Sequence, residues 1–194
     1  SHRRLFVDKN TLFVGTMNED ESTQSLSDKV LDRANVLRFG RPEKLDAKPD
    51  KQRFKASYDG RKSITEANWI VWKESFNQSF IDDMRKLLQE VNPALDEVGR
   101  PYAYRVAQAM ESYVGYYPGT NNADFSAAVA DQIEMKILPK LNGLELDMPG
   151  FEKVKNVLND VINNLEDDKL QAAFNKSCDQ SGNNAFFKWH GVTR

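Results

Sequence analysis

The sequence predicts a mainly α chain, in which a remnant strand-helix-strand unit of an α/β core is followed by a helical bundle. Three observations predict this. Two strand-like apolar runs, Leu12–Val14 and Val36–Phe39, lie before Pro42. A polar, proline-punctuated stretch follows over residues 40–62. Beyond Ile64 the apolar residues recur at spacings of three and four, the period of an amphipathic helix.

Leu12-Phe13-Val14 shows no alternation, as expected of a strand buried on both faces in a parallel sheet. Leu26, Val30 and Leu31 mark a short helix with Ser25 or Ser27 available as its N-cap. Val36–Phe39 is a shorter strand candidate. A single strand-helix-strand unit leaves both strand edges open, so the chain reads as the second half of a larger core. The expected organisation is residues 1–42 as the end of that core, 43–63 as a linker and 64–194 as helices.

In the helical part, Ser63-Ile64-Thr65-Glu66 reads as a capping box. Trp69, Trp72, Phe76 and Phe80 begin an apolar stripe that Ile81, Met84, Leu88, Val91 and Leu95 continue, with a break expected at Asn92-Pro93. Val106, Met110, Tyr113, Val114 and Tyr117 form the next face, ended by Pro118-Gly119. Phe125, Val129, Ile133, Ile137 and Leu141 make another, and Phe151, Val154, Leu158, Val161 and Leu165 one more. A last helix runs through Leu170 to Phe174, before a Gly/Asn break and the aromatic tail Phe186-Phe187-Lys188-Trp189. Helical spacing makes most of these aromatic residues core rather than a surface for stacking on bases.

Composition narrows the function classes. The 194 residues fit one ordinary domain or two small ones. With 27 basic and 29 acidic side chains, the near-neutral balance gives no support to a wholesale nucleic-acid-binding face. No apolar run approaches the roughly 18 residues of a membrane span. The single cysteine, Cys178, allows no intramolecular disulfide, and a reducing cytoplasm is the expected compartment. Two histidines far apart and no cysteine cluster make a zinc site improbable. Asp82-Asp83 and Asp167-Asp168 are adjacent on their helices, diverge, and read as solvated surface rather than a hydrolase pair.

One stretch is more specific. Gly15-Thr16-Met17-Asn18 ends the first apolar run, an acidic turn follows, and Asp28-Lys29-Val30-Leu31-Asp32-Arg33 leads to Arg38-Phe39. This order resembles the stretch from sensor 1 to the arginine finger in AAA+ NTPases, in the flavour of the McrB-like branch. Arg100-Pro101-Tyr102-Ala103-Tyr104-Arg105 is similar to the start of that family's sensor 2 helix, and Ile133–Gly143 to the end of one of its lid helices.

The resemblance implies that Asn18 orients the attacking water beside a γ-phosphate while staying uncharged. It implies that Arg33 reaches the nucleotide of a neighbouring subunit, with Arg38 the alternative finger, and that Arg105 touches the nucleotide of its own subunit. A guanidinium cannot lose its proton and offers a planar fork to phosphate oxygens. Phosphoryl transfer asks a protein chiefly for such positioning and charge stabilisation. The cofactor implied is ATP or GTP with Mg2+ in the full-length protein. The partners implied are a hexameric ring of the same protein, a nuclease subunit and DNA. The sequence holds no G-x-x-x-x-G-K-[ST] motif, so this chain alone is expected neither to bind nucleotide tightly nor to hydrolyse it.

Plainer readings exist for each residue. Asn18 could cap the acidic turn Glu19-Asp20-Glu21, Arg33 could pair with Asp32 or Asp28, and Arg105 could lie on the solvated side of its helix. A rival from another class is a non-catalytic helical module that binds a protein or DNA and keeps a degenerate motor remnant.

Overall fold

Apolar stripes at helical spacing produce helices wherever a cap starts them and a neighbour covers them, and the computed structural model shows both conditions at work. It describes residues 6–7, 11–17, 26–37, 65–179 and 185–192. The helices are α1 (Asp28–Leu31), α2 (Glu66–Glu74), α3 (Gln78–Leu87), α4 (Val91–Glu97), α5 (Tyr104–Gly115), α6 (Asn122–Gln132), α7 (Phe151–Asn164) and α8 (Asp168–Ser177). Between α6 and α7 run a π-helical turn, Ile133–Ile137, and a 3-10 turn, Leu138–Leu141. The chain is mainly α, as the sequence predicts.

The predicted strand-helix-strand is present only as its helix among the described residues. Leu12, Phe13 and Val14 form no strand and are 80%, 83% and 91% exposed. Val36 and Leu37 form none either, while Arg38 and Phe39 lie outside the described residues. An extended apolar run becomes a buried strand only when neighbours take its backbone N–H and C=O groups. Among the described residues no strand offers that; the β contact there is an isolated antiparallel bridge between Glu145 and Phe186.

Two further expectations are corrected. The capping box at the head of α2 is built by Thr65 and Asn68, with Glu66 the first residue of the helix and Ser63 outside the described residues: Asn68 N–H donates to Thr65 Oγ1 (3.2 Å) and Thr65 N–H to Asn68 Oδ1 (3.3 Å). The long stripe from Trp69 to Leu95 is three helices rather than one. The chain breaks at Ser75–Asn77, where Asn77 caps α3 by accepting from Phe80 N–H (3.3 Å), and again before α4. Pro93 therefore sits in the first turn of α4, where its missing N–H costs nothing. Asn92 beside it holds the backbone of Tyr102 from both sides, accepting from its N–H (2.8 Å) and donating to its C=O (3.1 Å).

The core gathers Phe80 and Met84 of α3, Leu95 of α4, Met110 and Val114 of α5, Val129 of α6, Leu158 and Ile162 of α7, and Phe174 of α8. α5 packs between α3 and α6, and α7 between α4 and α8. Gly115 lets the α2–α3 link press against the end of α5: a Cβ there would meet the Phe76 ring at 2.5 Å, and the Gly115 C=O accepts from Asn77 N–H at 2.7 Å. The tail returns to clasp the loop after the 3-10 turn. Phe187 N–H donates to Leu144 O (2.8 Å), Gly143 N–H to Phe187 O (3.0 Å), and Trp189 N–H to Asn142 Oδ1 (2.7 Å). Phe187 and Trp189 are thereby buried in the core. Among the described residues no helix is long and apolar enough to cross a membrane.

Candidate functional site

The sequence-predicted site residues divide three ways. Asn18 lies outside the described residues, as does the alternative finger Arg38. Arg105 stands in the first turn of α5 and is exposed, while Val106 beside it is buried. Arg33 follows α1 in a turn, also exposed, with its backbone N–H donating to Val30 O at 3.1 Å. Among the described residues neither arginine side chain forms a hydrogen bond or ion pair. Asp32, the carboxylate next to Arg33, is engaged elsewhere.

What the sequence did not single out is the mount of the Arg33 turn. Four residues of helix are far too few to be stable alone, and Leu31 is the buried anchor of α1. Its C-terminal end is held by two lysines from the π and 3-10 turns. Lys136 Nζ donates to Leu31 O (3.1 Å) and Ala34 O (2.6 Å), and Lys140 Nζ donates to Asp32 Oδ1 (3.0 Å). A cation on the last carbonyls of a helix satisfies acceptors that have no partner inside it. The three bonds bracket Arg33 without touching it.

Lys136 is only 4% exposed, unusual for a lysine. Burial lowers its pKa, Asp32 opposes the shift and Lys140 adds to it. The local geometry follows from Pro139. Without an N–H it cannot continue an α-helical ladder, and the chain instead opens into the π turn, where Leu138 N–H reaches back to Ile133 O. All five residues Ile133–Ile137 are buried in consequence, Lys136 and Glu134 among them. The Glu134 carboxylate accepts from Val192 N–H (3.3 Å), so the same turn also ties down the tail. A signal for this was present in the sequence: a lysine in Ile133-Glu134-Met135-Lys136-Ile137-Leu138 has no polar face to occupy.

A cleft of about 680 Å3 opens beside the start of α7 and the end of α8. It is lined by Phe151, Glu152, Lys155, Asn175 and Cys178. Burial pushes the Cys178 thiol up to about 12, Lys155 lowering it and Glu152 raising it by less. A thiol held neutral in this way is not a nucleophile at ordinary pH. Among the described residues no cluster of histidine, cysteine and carboxylate could hold a metal ion.

The class defined at this point is a helical domain with a polar-latched arginine turn on its surface. Residues 55–183 match the family described as a domain of unknown function, DUF8727, and the chain belongs to that family. No curated protein and no solved structure matches the chain.

Proposed function

We propose that this chain is the C-terminal part of a McrB-like AAA+ NTPase, and that Arg33 is its arginine finger. The single observation that supports the reading is the presentation of Arg33: an exposed, unpaired guanidinium on a turn whose two flanks are held. An arginine used across a subunit boundary has to face outward and keep its charge free for phosphate oxygens. In this reading Asn18 positions water at the nucleotide and Arg105, on the exposed start of α5, senses it from the helical lid. The exposed run Leu12–Val14 is the strand that such a core would seat among its neighbours. ATP or GTP with Mg2+ is bound by residues outside this chain's motifs. The assembly is a cytoplasmic hexameric ring that drives a nuclease subunit on DNA.

The test is ATP and GTP hydrolysis by the full-length gene product, for wild type, Arg33→Ala and mixtures. Arg33→Ala is expected to lower kcat by about a thousandfold or more while nucleotide binding persists. Mixing it into wild type lowers the rate beyond dilution. Equal rates in both proteins exclude Arg33 as the finger.

A second reading rests on a different observation. Trp69, Ile70 and Val71 are all exposed along α2, and the family match covers the helical part without the Gly15–Phe39 motif. On that reading the helices are a non-catalytic interaction module. Absence of nucleotide hydrolysis in every full-length preparation would favour it.

A further inference from the structure

The arginine turn and the π turn are separated by about a hundred residues of sequence, as the hydrogen bond from Lys136 to Ala34 spans 102 positions. They nevertheless meet through a lysine that is almost wholly buried and a second that is largely so. We propose that Lys136 and Lys140 are positioning residues for Arg33, fixing its turn to the helical body so that the guanidinium moves with that body. In tying this latch to catalysis, the proposal rests on the NTPase reading above.

The geometry argues for positioning rather than for general cohesion. Lys136 places one ammonium on the carbonyls of Leu31 and Ala34, the residues two before and one after Arg33. Lys140 holds Asp32, the residue just before it. The Asp32 carboxylate is thus turned toward Lys140, leaving the neighbouring guanidinium to solvent. Apolar contacts could anchor α1 as Leu31 does, but they would leave the turn free to slide. Directional bonds to Leu31, Asp32 and Ala34, on both sides of Arg33, set its backbone. Lys136 also belongs to the turn that continues α6, so displacement of α6 against its neighbours carries Arg33 with it.

Two measurements decide the matter. In this chain, amide exchange over residues 28–37 and tryptic cleavage after Arg33 report the latch. Lys140→Met and Lys136→Met are expected to speed both by about tenfold, with the exchange of α5 and α7 unchanged. Asp32→Lys and Lys140→Asp should each do the same, and their combination should restore protection, a rescue that loss of mere bulk does not allow. In the full-length protein, Lys140→Met should lower kcat with little change in KM, and adding it to Arg33→Ala should lower the rate no further. Unchanged exchange and no rescue overturn the latch. Faster exchange with wild-type kcat, while Arg33→Ala is inactive, overturns the positioning role and leaves the NTPase reading standing. Faster exchange with Arg33→Ala fully active overturns the finger assignment of Arg33 and the catalytic use of the latch together, whereas no hydrolysis by wild type overturns the NTPase reading itself.

Discussion

Two parts of this molecule use the same kinds of residue with opposite results. In α7, Phe151, Val154, Leu158 and Val161 are buried, and in the run at Leu12–Val14 three equally apolar side chains stand in solvent. Hydrophobicity is common to both, so it does not separate them. The difference is partners: α7 lies between α4 and α8, whereas residues 11–17 have no strand beside them among the described residues. Burial is a property of an assembly, and a transferable apolar pattern becomes a core only where a second surface completes it.

Substitutions in the two regions test whether partners account for the difference. The largest effect is expected at Phe174, fully buried in α8. Phe174→Ala should cost about 3–5 kcal/mol, while Phe13→Ala should change stability by no more than about 0.5 kcal/mol. Urea midpoints of the two variants measure the contrast, and a large loss at Phe13 would show that the run has partners after all. Next is Gly115→Ala, whose added methyl would meet the Phe76 ring at 2.5 Å and should cost about 1–3 kcal/mol by the same measurement.

The cysteine gives a pH signature of the buried part. Its thiol is pushed from the ordinary 9.0 to about 12 by burial, so the native state keeps the proton that the unfolded chain gives up. The stabilisation is therefore fully present below pH 9.0 and is lost as pH rises through about 12. Alkylation at pH 8 should be much slower in the native protein than in urea, and the stability of Cys178→Ser should fall less steeply than wild type above pH 9. Smallest of all are the exposed arginines. Arg33→Ala and Arg105→Ala should each leave the unfolding free energy within about 0.5 kcal/mol of wild type.

Much of the helical part was legible because its signals are local. The face Val106-Met110-Val114 repeats at helical spacing and is buried as that spacing requires. The stop at Pro118-Gly119 follows α5 directly, for Gly119 adopts a φ of 112° that L side chains rarely take. What escaped was set at a distance or by competition. Thr65 rather than Ser63 became the cap because the reciprocal partner was an asparagine, Asn68, and not the glutamate the pattern favours. The stripe through Trp69 and Phe80 reads as continuous, yet Asn77 competes for a backbone N–H and starts a new helix. The site was legible at Arg33 and Arg105 as exposed cations only. The lysines that hold the Arg33 turn were hidden, since their acceptors are backbone carbonyls that no sequence pattern announces.

The π turn has one more consequence, for length rather than composition. Each residue of an α-helix advances the chain by about 100° around the axis, and a π turn takes up one residue more than an α turn does. The surplus residue is taken up inside Ile133–Ile137, so the chain after it keeps its phase, with Lys140 on Asp32 and Asn142 on the Trp189 backbone. Deleting one apolar residue there would let an ordinary α turn cover the same span and leave both contacts in place. What would change is the place of Lys136 within the turn, and with it the hold on Leu31 and Ala34.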